Sequence, residues 1–144
     1  MTAFMDTNVL VYARQVGEVV KQPAAAGWLA HLWESSEGRV STQVLNEYYV
    51  TVTRKLDPPV TTADARADIA DLGSWDPIGI DGDLIGAAWE IEDRYGFSFW
   101  DALVVAAAKA AGCDTLLTED LQHGQDLDGL RVVNPFVEAP PSAD

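Results

Sequence analysis

Residues 99–111 are apolar around the whole helical circumference, interrupted only by Asp101 and Lys109. A helix that is apolar on every face must be covered on more than one side, so it lies between other layers of structure. Ser98 precedes this segment as a candidate N-cap, and Gly112 follows it as a stop signal. The segment therefore predicts a layered domain with this helix in its interior.

Strand and helix patterns alternate along the whole chain. The predicted strands cover residues 2–5, 39–40, 75–80, 115–118 and 130–133. The predicted helices begin after Asp6 and cover residues 23–34, 42–56, 62–72, 81–95 and 99–111, and residues 119–129 form a predicted polar loop. Such alternation is typical of an α/β protein. We predict a three-layer α/β/α sandwich with a central, mostly parallel sheet of about five strands.

The length and the cysteine content restrict the kinds of protein that this chain can be. At 144 residues the chain fits one domain, placed at residues 1–136, with a flexible tail at 137–144. The single cysteine, Cys113, excludes a disulfide framework and any multi-cysteine metal site. No stretch approaches the roughly 18 apolar residues of a membrane span, and no basic and then apolar leader precedes Asp6. We expect a soluble cytoplasmic protein.

The charge balance is strongly acidic. Nine Lys and Arg residues stand against 23 Asp and Glu residues, for a formal net charge of −14. This balance disfavours proteins that coat nucleic acids through diffuse attraction to phosphates. It is compatible with an acidic pocket for cations, because such a pocket depends only on which carboxylates converge.

Four acidic residues are candidate ligands for a cation. Asp6 directly follows the first predicted strand, and Asp120 lies two residues beyond Thr118 at the end of another. Asp101 lies in the first turn of the apolar helix, and Glu47 lies beside the apolar stripe of its own helix. Carboxylates gathered together repel one another unless a cation lies between them, and an all-oxygen ligand set suits Mg²⁺ or Mn²⁺. Such a centre is suited to phosphodiester hydrolysis.

The four acids are also compatible with different roles. Each one fits a structural position as a helix cap, a solvated helix residue or a turn residue. A phosphatase with Asp6 as its nucleophile is one alternative function, although its pattern calls for a second Asp where Asn8 stands. A regulatory module that binds Mg²⁺ without turnover is another.

Two arginines are candidate substrate contacts. Arg54 lies seven residues after Glu47, which returns it to nearly the same helix face, where it could hold a phosphate. Arg14 is a weaker candidate. Both also fit solvated or salt-bridged surface positions.

The four acids lie in four motifs, MDTNVL at 5–10, LNEYY at 45–49, FWDALVVAAA at 99–108 and LTEDLQHG at 117–124. In this order the motifs resemble PIN-domain ribonucleases, in particular the toxins of VapBC-type toxin–antitoxin pairs. The resemblance implies the PIN fold and a hydrolase, a Mg²⁺- or Mn²⁺-dependent endoribonuclease acting on RNA. It also implies a homodimer and a cognate VapB-type antitoxin whose basic, apolar segment covers the pocket.

The resemblance also implies a role for individual residues. Catalysis and metal binding fall on Asp6, Glu47, Asp101 and Asp120, and the small polar positions that orient ligands fall on Asn8 and Thr118. Glu119 adjoins the last acid, so the loop could present either carboxylate. We assign the role to Asp120, because the family's acid stands two residues after a Ser or Thr.

Overall fold

The computed structural model describes residues 1–142, so Ala143 and Asp144 of the predicted tail lie outside the described residues. The strands are β1 (Ala3–Met5), β2 (Gly38–Arg39), β3 (Thr115–Leu117), β4 (Asp126–Leu127) and β5 (Leu130–Val133). The helices are α1 (Thr7–Arg14), α2 (Lys21–Ser35), α3 (Thr42–Arg54), α4 (Thr62–Leu72), α5 (Gly82–Tyr95) and α6 (Phe99–Ala110), with a 3₁₀ turn at Gly73–Trp75. Strands and helices follow the predicted order, except that no strand lies between α4 and α5 and that a short strand, β4, precedes β5.

The five strands form one mostly parallel sheet in the order β2-β1-β3-β5-β4, in which only β4 is antiparallel to its neighbour. In the central pair, Met5 of β1 lies opposite Leu117 of β3. The residues that follow, Asp6 and Thr118, therefore leave the sheet at the same edge. The chain order reverses between these two strands, which is where open α/β sheets bind their ligands.

The apolar helix predicted at residues 99–111 is α6, and it is buried as expected. Residues 102–108 are all buried, and the helix packs against α5 and β3. Ser98 caps it, because its hydroxyl accepts a hydrogen bond from the backbone N–H of Asp101 at 3.2 Å. No helix within residues 1–142 has both the length and the apolar character that crossing a membrane requires.

The strand predicted at residues 75–80 is wrong. Trp75 ends the 3₁₀ turn, Asp76 has a left-handed backbone with φ of 51°, and Pro77 lacks the N–H that a strand would use. Only Ile78 makes a strand-like bridge, a parallel one to Ser41. The apolar residues of this segment anchor it to the core through Trp75, which is 5% exposed.

The loop predicted at residues 119–129 contains one strand that the prediction missed. β4 and β5 form a hairpin whose two turn residues, Asp128 and Gly129, have φ values of 55° and 95°. Two positive φ values are the mark of a type I′ turn, for which Asp-Gly is a preferred pair. That dipeptide is the sequence signal for this hairpin.

The chain stays attached to the domain beyond residue 136. The indole N–H of Trp28 donates to the carbonyl oxygen of Glu138 at 2.9 Å, and the carboxylate of Glu138 pairs with Arg131. The domain boundary at 136 and the flexibility of the tail remain predictions.

Candidate active site

Asp6 directly follows β1 and caps α1. Its Oδ1 accepts a hydrogen bond from the backbone N–H of Thr7 at 2.7 Å. Its Oδ2 accepts from the hydroxyl of Thr118 at 2.8 Å and from Nδ2 of Asn8 at 3.4 Å. The carboxyl is therefore held by its own helix and by the end of β3.

The surroundings of Asp6 disfavour its negative charge. The pKa of this carboxyl is raised to about 7, chiefly by burial. Hydrogen bonds from Thr118 and Thr7 oppose the rise, and the charges of Asp120 and Glu47 add to it. With 6% of its surface exposed, Asp6 has little access to water. A cation beside it would favour the ionised form.

Asn8 and Thr118 connect the first and last acids. The side-chain amide of Asn8 donates to Oδ2 of Asp120 at 3.1 Å and to Oγ1 of Thr118 at 3.2 Å. The backbone N–H of Asp120 donates to the same Oγ1 at 3.1 Å. These bonds hold the turn after β3 against the start of α1, so the two small polar residues lie where the sequence predicts them.

The carboxylate of Glu119 is engaged elsewhere. Its Oε2 accepts from Nζ of Lys21 at 2.8 Å, and that ammonium lies 4.8 Å from the ring centre of Tyr12 and 5.2 Å from that of Phe136. Asp120, in contrast, contacts Asn8. This geometry favours Asp120 over Glu119 as the fourth acid of the centre.

Glu47 reaches the centre from α3 and is held at both carboxylate oxygens. Oε1 accepts from Nε2 of Gln43 at 3.1 Å, and Oε2 accepts from the hydroxyl of Thr7 at 2.9 Å. Sequence reasoning missed both donors. Gln43 could have been found, because residues four apart on a helix are neighbours. Thr7 carries no comparable signal, since its bond spans 40 residues.

Asp101 lies in the first turn of α6 and is half-buried. Burial raises the pKa of its carboxyl, the hydrogen bond with Ser98 opposes this, and the charges of Asp120 and Glu47 add to the rise. Since Asp6 responds to the same two charges, the four predicted acids form one electrostatic cluster. We call Asp6, Glu47, Asp101 and Asp120 the acidic centre.

The acidic centre fits a hard divalent cation in its chemistry. It offers only oxygen ligands, which suit Mg²⁺ and Mn²⁺ better than zinc. Within residues 1–142, no three His, Cys, Asp or Glu side chains are grouped so that together they could hold an ion as they stand. Carboxylates without a cation between them repel one another. Here Asp6, Glu47 and Asp120 accept hydrogen bonds from neighbouring polar side chains. Part of the acidic centre would therefore have to rearrange to hold an ion.

The two predicted substrate arginines differ in their contacts. The guanidinium of Arg14 makes two bonds to Asp68, at 2.9 and 2.7 Å, so these donors are already engaged. Arg54 is the last residue of α3, is exposed, and makes no ion pair within the described part of the chain. Contact of either residue with a substrate remains a prediction.

In the absence of cations, we expect Asp6 to make the protein less stable as pH rises from about 4 to 8. Its pKa is 3.8 ordinarily and about 7 in the folded state, so folding is increasingly disfavoured above pH 4 until the folded carboxyl also ionises near pH 7. The loss is at most about 4 kcal/mol, at about 1.4 kcal/mol per pKa unit. Urea unfolding in EDTA at several pH values measures it.

The variant Asp6→Asn is the control for this pH effect. It has nearly the same shape and cannot ionise, so its stability should fall less than that of the wild type over the same pH range. An identical pH dependence in both proteins would show that Asp6 does not carry the effect.

The class of this domain is defined by a mostly parallel sheet and by a buried aspartate, Asp6, that directly follows β1. Three more acids lie on α3, on α6 and in the turn after β3. The family model for the PIN domain matches residues 3–125, which include all four acids. The chain therefore belongs to the PIN domain family, which confirms both the resemblance and the predicted fold class. Comparison with curated proteins found no match.

Solved structures of similar fold agree with this assignment. VapC20 of Mycobacterium tuberculosis, described as a sarcin–ricin loop cleaving toxin, is 24% identical, with a TM-score of 0.61 over 80% of this chain and 87% of its own. A toxin–antitoxin complex from Klebsiella pneumoniae is 19% identical, with a TM-score of 0.66 over 93% and 98%. FitAB bound to a DNA fragment is 18% identical, with a TM-score of 0.70 over 94% and 96%.

Proposed function

We propose that this protein is a divalent-cation-dependent endoribonuclease that hydrolyses RNA phosphodiester bonds and acts as the toxin of a toxin–antitoxin pair. The observation that carries the proposal is the acidic centre, in which a PIN-family chain buries Asp6 among three further carboxylates. The similarity to a toxin that cleaves the sarcin–ricin loop supports the choice of RNA as the substrate class.

In this proposal, the acidic centre holds one or two Mg²⁺ or Mn²⁺ ions. When bound, such an ion polarises the scissile phosphate and lowers the pKa of a water molecule. The chain's own polar side chains orient the carboxylates. Asn8 and Thr118 fix Asp6 and Asp120 relative to each other, which is the support that metal ligands generally need.

The phosphatase alternative has less support from the sequence. A phosphatase of that kind carries a second aspartate two residues after its nucleophile, and Asn8 stands at that position here. The regulatory alternative predicts cation binding without cleavage.

Cleavage of end-labelled RNA tests the proposed activity. The protein must first be freed of any co-purified partner, and several structured RNAs are compared with Mg²⁺, with Mn²⁺ and with EDTA. We expect cuts that depend on the cation. Cation binding by calorimetry without cleavage of any RNA would favour the regulatory module, and equal cleavage in EDTA would contradict the metal centre.

An apolar groove between α1, α2, α3 and α4 supports an antitoxin partner. Its volume is about 540 Å³, and its apolar lining includes Leu29 and Trp33. Glu34 and Asp71 add negative charge, while the charge of Asp68 is paired with that of Arg14, which also lines the groove. The indole of Trp33 is 45% exposed. An acidic, apolar groove on a chain of net charge −14 fits a basic, amphipathic segment. We propose that the antitoxin inserts such a segment here.

Replacing Trp33 by glutamate is expected to weaken antitoxin binding by about 30-fold or more, because exposed tryptophans in grooves are frequent hot spots. The substitution also places a negative charge beside an acidic rim. The dissociation constant for the cognate antitoxin, which is to be sought in the reading frame next to this gene, measures the effect. Trp89→Glu is the matched control, since Trp89 is 57% exposed on α5 and does not line the groove. Equal affinities of the two variants would contradict this docking site.

The family resemblance also leads us to propose a homodimer. Analytical ultracentrifugation of the 15.6-kDa chain without its antitoxin tests this directly. A monomer at micromolar concentration would contradict the proposal.

A further inference from the structure

We infer that Gln43 is a positioning residue that holds Glu47 in the acidic centre and ties it to the first turn of α6. The inference rests on the proposed function, since it concerns the same carboxylates. It assigns a role in the same site to a residue other than the four acids, Asn8 and Thr118.

A single side-chain amide, that of Gln43, contacts both α3 and α6. Gln43 lies on α3, one helical turn before Glu47, and is 6% exposed. Its Nε2 donates to Oε1 of Glu47 at 3.1 Å and to the backbone carbonyl oxygen of Trp100 at 3.4 Å. Trp100 directly precedes Asp101. One NH₂ group therefore joins the acid of α3 to the turn that carries the acid of α6.

The orientation of this amide is set by its neighbours. Rotating the group by half a turn would place Oε1 against a carboxylate oxygen and a carbonyl oxygen, which repel it. In the favourable orientation, Oε1 of Gln43 is buried and has no hydrogen-bond partner within residues 1–142. A leucine of similar size would carry no buried polar atom without a partner, so stability alone does not explain a glutamine here. The two hydrogen bonds that its NH₂ group donates do explain it.

The consequence for Glu47 is a fixed side chain. A glutamate on an exposed helix face normally samples several rotamers, and binding a cation would have to order it. Here Gln43 holds one carboxylate oxygen while Thr7 holds the other. The carboxylate is thus ordered before a ligand arrives, which improves affinity without any direct contact between Gln43 and the ligand.

The test compares Mn²⁺ binding by calorimetry in the wild type, Gln43→Leu and Gln22→Leu. We expect Gln43→Leu to bind about 10- to 100-fold more weakly, the range for lost support of a metal ligand. Its thermal midpoint in EDTA should be unchanged or higher. Gln22 is the matched control, because its half-buried amide bonds only the carbonyl oxygen of Ala13, at 3.2 Å, and its loss should leave the affinity unchanged.

A double-mutant cycle separates positioning from a general structural role. If Gln43 acts through Glu47, adding Gln43→Leu to Glu47→Gln should weaken Mn²⁺ binding no further. Equal affinity of Gln43→Leu and the wild type, or an undiminished effect in the Glu47→Gln background, would overturn the inference.

A second readout does not depend on any cation. In the cation-free protein, the side-chain amide resonance of Gln43 should shift when Glu47 is replaced by glutamine, and that of Gln22 should not. If the wild type binds no Mn²⁺, the proposed metal centre fails, while this resonance still decides whether Gln43 holds Glu47. An unshifted resonance would contradict the hydrogen bond itself.

Discussion

Asp6→Asn is expected to lower RNA cleavage by about 10³-fold or more, equivalent to about 4 kcal/mol of transition-state stabilisation. Asp6 is the most buried member of the acidic centre, and its pKa of about 7 shows how poorly its charge is compensated without a cation. An amide of the same shape keeps the acceptor for the N–H of Thr7 but removes the charge that would hold the ion. Single-turnover cleavage near neutral pH measures the loss.

The control for this loss is a carboxylate beside the centre that is engaged elsewhere. Glu119→Gln removes a charge next to Asp120, but the carboxylate of Glu119 pairs with Lys21, so cleavage should change by no more than a few-fold. Asp101→Asn is a second variant of the centre and should resemble Asp6→Asn. Near-wild-type cleavage by Asp6→Asn, in a preparation freed of contaminating nuclease, would contradict the proposed catalytic centre.

Gly38→Ala is expected to destabilise the fold by about 3 kcal/mol, at the upper end for overpacked cores. A Cβ at this position would lie 2.5 to 2.7 Å from three ring atoms of Trp75. The ring has little space into which to move, because Trp75 is 5% exposed and packs against Trp33 at 5.5 Å. Gly38 is also buried in β2, opposite Ala3 of β1. Urea unfolding measures the change.

Two further variants make this prediction specific to the contact. Gly27→Ala is the control, since an added Cβ there meets nothing within 4 Å and the helix interior of α2 favours alanine over glycine. It should be slightly stabilising. In the Trp75→Leu background, Gly38→Ala should cost much less than alone, because the clashing ring is gone. An equal cost in both backgrounds would show that the Trp75 contact is not the cause.

Helices and their ends could be predicted because their signals are local. Ser98 caps α6, and Asp81 caps α5 by accepting from the N–H of Leu84 at 2.9 Å. The caps and the apolar pattern lie within a few residues of one another, so the sequence alone indicates where these helices begin. The order of strands and helices then restricts the chain to an α/β sheet protein.

The strand predicted at 75–80 shows where local patterns mislead. Apolar residues there indicated an additional strand, but the chain uses them to cover β2 and to place Trp75 over Gly38. That Gly38 must lack a side chain is a consequence of packing between distant segments, because the ring of Trp75 lies where a Cβ would be.

The fold class, the buried helix α6 and the choice of four candidate acids follow from the sequence alone, because strand ends, caps and apolar periodicity are properties of neighbouring residues. Which groups orient those acids is settled only by the tertiary structure. The hydroxyl of Thr7 reaches Glu47 across 40 positions, and the amide of Asn8 reaches Asp120 across 112. Such contacts depend on how the sheet registers and how the helices pack against it, which no local pattern encodes.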